Sequence, residues 1–417
     1  MDLHIYKQKN NKKISGTVQI SGAKNSAVAV IPACLLTDEE VTLYNIPDIS
    51  DISNLVNILK EMGHFIKFEN NTINFKRNNK AKDIFSTSPS KLRGSLYLIG
   101  SYLAYNKKII FQKSGGCNIG KRPIDYHQNG FRLLNVKIKE KKKGTLYKTK
   151  KLVGNKIVLE FPSVGATINL MLAAVLAKGN TIIENAALEP EVTDVANFLN
   201  SMGANISGIN TKRLLIQGVN KLHGTKYTII SDRIEAGTYL ALGCLKENQP
   251  VTITNIDPSL LTSYTKALQD IGHNIIINSN SITASKGTNL SPIDIVTAPY
   301  PGFPTDLGPI ITTLLTQIPG TSTLTENIFE NRFNHIGDLN KMGANITIHN
   351  NTIIIKGETP LYGGKVNCHD LRAGASLLLA GIISSKHTII RDIEIFKRGY
   401  EKPITKLKQL NITALIN

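Results

Sequence analysis

Apolar positions along the chain fall into two alternating patterns. Ile52, Leu55, Val56 and Leu59 recur at helical spacing on one face, and Val192, Val195, Leu199 and Met202 do so again. Alternating runs surround two Asn-Asn pairs: Ile66, Phe68 and Ile73 about Asn70-Asn71, and Ile346, Ile348 and Ile353 about Asn350-Asn351. Asparagine tolerates positive φ, so both pairs read as hairpin turns between short strands. A third kind of stretch, plainest from Gly165 to Ala177, is a helix rich in small residues. β-branched strands such as Thr181-Ile-Ile183 and Thr388-Ile-Ile390 follow such helices.

The patterns repeat. Helices end in one signature at Glu61-Met-Gly-His64, Ser201-Met-Gly-Ala204, Asp270-Ile-Gly-His273 and Lys341-Met-Gly-Ala344, with weaker copies at Leu134-Asn-Val136 and Leu410-Asn-Ile412. The turn residues Gly63, Asn135, Gly203, Gly272, Gly343 and Asn411 stand 68 to 72 residues apart. A left-handed helix C-cap requires glycine or asparagine, which accounts for their interchange. Each unit then reads as a small-residue helix, a strand, an acid-capped amphipathic helix and a hairpin. Six such units predict an α/β protein of two domains with three units each, parting near Gly218 to Tyr227. An open solenoid is the alternative, but solenoid periods of roughly 20–50 residues are shorter than these.

A length of 417 residues also exceeds one core's usual size. Hydrophobic residues at 41% and charged residues at 19% describe a globular chain. The sequence from Met1 to Lys9 lacks the apolar core of a signal peptide. Apolar runs such as Leu170 to Ala177 are too short to span a bilayer, so no membrane insertion is expected. Cys34, Cys117, Cys244 and Cys368 form neither a metal pattern nor a dense disulfide framework, which points to a reduced cytoplasmic location and no metal. The net charge of +18 suits an anionic partner: nucleic acid, a membrane surface or phosphorylated metabolites. Its densest run, Val136 to Lys156, holds nine lysines but few aromatics. It reads as a solvated hairpin with a lysine-rich tip rather than a nucleic-acid groove.

One stretch concentrates chemistry: Lys113-Ser-Gly-Gly-Cys-Asn-Ile-Gly-Lys-Arg-Pro-Ile-Asp-Tyr-His127. Gly115 and Gly116 permit close approach of a ligand to the backbone. Lys113, Lys121 and Arg122 stand near Cys117, and cations lower a thiol's pKa and raise its reactivity. On these residues alone, a surface turn with an incidental cysteine fits equally well.

Nine motifs in order carry a resemblance that runs nearly end to end. They are Ile20-Ser-Gly-Ala-Lys-Asn25, Leu92-Arg-Gly-Ser95, Gly115 to His127, Pro162-Ser-Val-Gly-Ala-Thr167, Ser231-Asp-Arg-Ile-Glu235, Phe303-Pro-Thr-Asp306, Ile328-Phe-Glu-Asn-Arg-Phe333, Asp370-Leu-Arg-Ala373 and Arg398-Gly-Tyr-Glu401. On these the chain resembles the UDP-N-acetylglucosamine 1-carboxyvinyltransferases, the enolpyruvyl transferases that open bacterial peptidoglycan synthesis. The resemblance implies two inverse α/β barrels, each of three βαβαββ units, with the active site in the cleft between them. The domains would be 21–228, carrying the cysteine loop, and 1–20 plus 229–417, carrying the catalytic aspartate. The implied reaction moves an enolpyruvyl group from phosphoenolpyruvate to the 3′-hydroxyl of UDP-N-acetylglucosamine and releases phosphate, without a cofactor. It also implies a part in cell-wall biogenesis, cell shape and cell division.

Residue roles follow from the same resemblance. Lys24 and Asn25 would contact phosphoenolpyruvate, and Arg122 and Arg398 would clamp its phosphate or carboxylate, groups that a guanidinium meets bidentately. Arg93, the run Arg122, Pro123, Ile124, Asp125 and Tyr126, the run Ser163, Val164 and Gly165, and Ile328 would meet the sugar nucleotide. Asp306 would be the base for the 3′-hydroxyl, and Cys117 the proton donor to the methylene carbon and the target of fosfomycin. Arg372 is placed in the site. Arg332, Asp232 and Glu235 either take part directly or hold the domains' inner faces through ion pairs. Lys397, Gly308 and Phe161 depart from residues common in the family. Two rivals remain: the related transferase acting on shikimate 3-phosphate, and a basic RNA-binding or silent regulatory paralogue. The absence of Trp and an aromatic content of 6% leave little for base stacking.

Overall fold

The computed structural model of the chain describes residues 1–6, 14–81, 93–112, 123–245 and 250–417, and of Arg93 the backbone. Among them run twelve α-helices, two per repeat: α1 (Lys24–Ala33) and α2 (Ser50–Glu61), α3 (Tyr97–Asn106) and α4 (Asp125–Leu133), α5 (Val164–Ala174) and α6 (Pro190–Ser201), α7 (Arg233–Cys244) and α8 (Thr262–Ile271), α9 (Gly308–Leu315) and α10 (Ile336–Lys341), and α11 (Leu371–Ile383) and α12 (Pro403–Gln409). The first helix of each pair is buried nearly all round, as an apolar helix must be. Small residues let these helices meet closely. A Cβ at Gly100 of α3 would stand 2.2 Å from the Asn169 carbonyl oxygen of α5. The second helices bury one stripe, for example Ile52, Leu55, Val56 and Leu59 on α2.

All six expected caps hold. Gly63, Asn135, Gly203, Gly272, Gly343 and Asn411 take left-handed backbone, from φ 62 at Asn411 to 107 at Gly272 and Gly343. Phe65–Glu69 pairs with Thr72–Lys76 around Asn70 and Asn71, at φ 47 and 57. The lysine-rich run forms the hairpin of Lys137–Lys141 and Gly144–Lys148, with exposed Lys142 and Lys143 at its tip. The acids at the starts of α2 and α6 do not cap. Ile49 and Glu189 occupy the cap positions but make no side-chain capping bond to the helix, and the acids Asp51, Glu191 and Asp194 are buried instead.

The described residues of 22–230 form one compact unit; Met1–Ser21 with Ser231–Asn417 form the other. Each has its own hydrophobic core, so the repeats do not stack as an open solenoid. Each also carries three sheets on its three buried helices, an α/β body with helices inside and strands outside. In the 22–230 unit, Lys226–Thr228 runs parallel to Val41–Tyr44 and completes the first repeat's sheet. In the other unit the N-terminal segment supplies two strands. Gly16–Gln19 runs parallel to Val251–Thr254. Leu3–Ile5 inserts between Thr388–Arg391 and Ala414–Ile416, antiparallel to both, where the fourth and fifth repeats place their own second hairpin strand.

Candidate active site

In the 22–230 unit, several predicted site residues sit at helix starts. Lys24 and Asn25 open α1, Asp125 and Tyr126 open α4, and Val164 and Gly165 open α5 behind its cap Ser163, whose hydroxyl accepts from the Ala166 N–H at 3.3 Å. The short 3-10 turn Arg93–Leu96 precedes α3. Contacts bring these segments together. A Cβ at Gly94 would stand 2.9 Å from the Val28 side chain of α1, and one at Gly165 would stand 3.2 Å from the His127 ring of α4. Helix N-termini carry unpaired N–H groups and a partial positive charge, which favours anions. Pro123 and Asp125 are exposed, while Ile124, Tyr126, Ser163, Val164 and Gly165 are half-buried.

A cation at the start of a helix opposes its dipole, and Asp51 offsets this: its carboxylate lies 3.0 Å from Lys24 Nζ. The next two residues are tethered in the same way. Asn25 Nδ2 donates to Glu191 at 3.3 Å, and Ser26 Oγ donates to Asp194. Asp194 is buried, accepts from Tyr227 Oη at 2.7 Å and from the Ile230 N–H at 3.3 Å, and has its carboxyl pKa pushed up by that burial. Three consecutive polar residues of α1 are thus held by three acids that read as helix caps in the sequence.

In the other unit, Asp306 lies in the 3-10 turn Thr305–Leu307 before α9. Arg372 Nη2 donates to Asp306 Oδ2 at 2.8 Å, and Arg332 Nη2 donates to Oδ1. Arg332 also donates from Nε to the Thr305 carbonyl at 3.1 Å. Both guanidiniums are nearly buried, whereas the Asp306 side chain is 26% exposed. Burial pushes the Asp306 carboxyl up, but the two guanidiniums outweigh it and hold the group well below the usual carboxylate range. Asp370 caps α11 by accepting from the N–H groups of Arg372 at 2.8 Å and Ala373 at 3.0 Å, which fixes the backbone from which Arg372 reaches out.

Asp232 caps α7, accepting from Ile234 and Glu235. Glu235 accepts from Lys406 Nζ at Oε1 and from the Ser21 N–H at Oε2, both at 2.7 Å. Both acids have structural partners, and Lys406 is one the sequence did not single out. Ile328 gives its N–H to Glu326 at 2.7 Å, so a backbone contact to a ligand from Ile328 would use its carbonyl. Arg398 is half-buried at the end of the turn Ile393–Arg398. Cys117 and Arg122 lie outside the described residues, as does the Arg93 side chain. Cys34, Cys244 and Cys368 are buried, as expected of inert thiols. Among the described residues, no helix is long and apolar enough to cross a membrane.

Comparison with known proteins identifies the architecture. A family model described as EPSP synthase (3-phosphoshikimate 1-carboxyvinyltransferase) matches residues 8–407. The UDP-N-acetylglucosamine 1-carboxyvinyltransferase 2 of Bacillus subtilis (strain 168) is 45% identical over 402 residues, 96% of this chain and 94% of that one. The chain belongs to the UDP-N-acetylglucosamine 1-carboxyvinyltransferase family. The protein of the same name from Listeria monocytogenes serovar 1/2a is 43% identical over 400 residues, again 96% and 94% of the two chains. The crystal structure of the enolpyruvyl transferase NikO from Streptomyces tendae superposes with a TM-score of 0.87 at 23% identity, over 99% of this chain and 98% of that one. An EPSP synthase from Acinetobacter baumannii gives 0.75 at 19% over the whole of both chains. At such identities both speak for the fold.

Against this enolpyruvyl transferase family, the three departures take ordinary places. Lys397 pairs with Glu394 at 3.3 Å and touches Met1 Sδ at 3.0 Å. Gly308 opens α9, and a Cβ there would meet only Leu324, at 3.8 Å. Phe161 is 40% exposed, two residues before Ser163.

Proposed function

We propose that this chain transfers the enolpyruvyl group of phosphoenolpyruvate to the 3′-hydroxyl of UDP-N-acetylglucosamine with release of phosphate. The observation that carries the reading is 45% identity, across nearly the full length, to a protein named for that activity. The chemistry asks for a base, a proton donor and cations. Asp306 supplies the base. Its two arginines keep it ionised at any working pH and make it weakly basic, so it takes the hydroxyl proton as the oxygen bonds to C2 rather than beforehand. Cys117 gives a proton to the methylene carbon. The tetrahedral adduct then loses phosphate and one methyl proton, which leaves the enolpyruvyl ether.

Lys24, Asn25, Arg122 and Arg398 hold phosphoenolpyruvate, with Arg332 and Arg372 beside the base. Arg93, the run from Arg122 to Tyr126, Ser163, Val164, Gly165 and Ile328 hold the sugar nucleotide. Two unit charges about 4 Å apart interact by roughly 4 kcal/mol at an effective dielectric near 20, so several cations on one phosphate supply much of the binding. The partners are these two small molecules rather than nucleic acid. The setting is the cytoplasm and peptidoglycan synthesis, hence cell-wall growth and division, with fosfomycin as an inhibitor at Cys117. Purified protein should release phosphate from phosphoenolpyruvate only with UDP-N-acetylglucosamine present, and a chelator should not matter. Turnover with shikimate 3-phosphate instead, or dependence on a metal, would overturn the reading.

A further inference from the structure

We infer that Asn169 is a positioning residue for the sugar-nucleotide groups of the 22–230 unit, because it joins three of their segments and fixes the tautomer of His127. The inference rests on the proposed function for its substrate and on geometry for the rest. Asn169 lies inside the apolar helix α5 and is fully buried. A buried amide is costly unless its hydrogen bonds are made. Its Oδ1 accepts from the Gly100 N–H at 2.8 Å, and its Nδ2 donates to the Leu96 carbonyl at 2.9 Å. Those backbone partners settle which end of the amide is which, since an N–H only donates and a carbonyl only accepts. The remaining Nδ2 hydrogen meets His127 Nδ1 at 3.1 Å.

That ring nitrogen must therefore accept, and the imidazole proton sits on Nε2. A Cβ built on Gly165 would stand 3.2 Å from both Nε2 and Cε1, so this side of the ring lies against the first turn of α5. Leu96 closes the turn headed by Arg93, and His127 follows Asp125 and Tyr126. Asn169 itself stands one helical turn beyond Gly165. One side chain therefore sets the mutual register of all three segments. A fully satisfied buried network of this kind specifies one arrangement.

Ring-nitrogen NMR of isotope-labelled enzyme tests the tautomer directly, with His127 assigned from its loss in His127→Asn. A proton on Nε2 and none on Nδ1 is expected; an Nδ1–H ring would overturn the assignment. Asn169→Asp replaces the donor by an acceptor and should put a proton on Nδ1. It should weaken UDP-N-acetylglucosamine binding about tenfold, the worth of one to two buried hydrogen bonds. The KM for phosphoenolpyruvate should change less, because Asn169 bonds to segments proposed for the sugar nucleotide. Gly165→Ala keeps every bond but crowds the ring, and should weaken the same ligand should the aspartate variant fold poorly. Equal loss for both substrates, or unchanged sugar-nucleotide binding with an inverted ring, would refute the positioning role. If wild-type enzyme releases no phosphate with either acceptor, the proposed function fails while the ring spectrum still judges the tautomer.

Discussion

Arg372 Nη2 donates to Asp306 Oδ2 at 2.8 Å, and Arg332 takes the other carboxylate oxygen. The pair is the proposed base and also the tie between the turn before α9 and the first turn of α11. Asp306→Asn should lower turnover by roughly 10²–10⁴-fold, the worth of a positioned base. It also removes the carboxylate that the two buried guanidiniums share. Stability should fall by up to about 3 kcal/mol, the low end for a broken buried pair because Asp306 is partly exposed. Steady-state rates and urea unfolding check both halves. Near-normal turnover would make Asp306 structural only.

Two carboxyls should give opposite pH signatures. Asp306 has a depressed folded pKa, so its contribution is complete above the ordinary carboxylate range and is lost only as pH falls below it. Asp194 has a raised folded pKa, chiefly from burial, so it favours the fold when protonated. That contribution fades as pH rises from about 4 upward. Asp194→Asn should therefore gain on the wild type between pH 4 and 7 in denaturant melts, whatever its fixed offset. A gain in the opposite direction would contradict the assignment.

Thiol chemistry should be selective. Burial pushes the Cys34 and Cys244 thiols far above their ordinary range, and Cys368 is buried as well. Buried neutral thiols are poor nucleophiles. A phosphonate epoxide should thus alkylate Cys117, with turnover lost in step, while Cys117→Asp should stay active and resist. Peptide mass mapping reads the result; an adduct on Cys34, Cys244 or Cys368 with Cys117 untouched would refute it.

Lys107 ends α3 in left-handed backbone at φ 61, a conformation in which a Cβ crowds the following carbonyl and which asparagine tolerates better. Lys107→Asn should stabilise the 22–230 unit by about 0.5–1 kcal/mol, part of the left-handed penalty. Thermal unfolding measures it. A lower melting temperature would mean that the bond from Lys107 Nζ to the Ala104 carbonyl outweighs the strain.

What the sequence revealed was local. Gly63 or Asn411 is visible as a cap because few residue types accept that backbone, and Asn70-Asn71 for the same reason. The small-residue helices are visible because close packing excludes larger side chains. What stayed hidden was long-range. Asp51, Glu191 and Asp194 look like helix-starting acids, and nothing near them shows that they turn to Lys24, Asn25 and Ser26. The clue was on the other side, in three polar residues opening an otherwise apolar helix. Asn169 left a similar trace, a lone amide within an apolar run. Insertion of Leu3–Ile5 into the last sheet left none.

That inserted strand sets an order of events during synthesis. Leu3 leaves the ribosome long before its neighbours around Ile390 and Ile416. At about 5–20 residues per second, the opening strand waits on the order of 20–80 s for its place. Over that time the 22–230 unit can fold on its own core, while Leu3–Ile5 still lacks both of its neighbours. The last sheet is thus closed by a strand made long before the two that flank it.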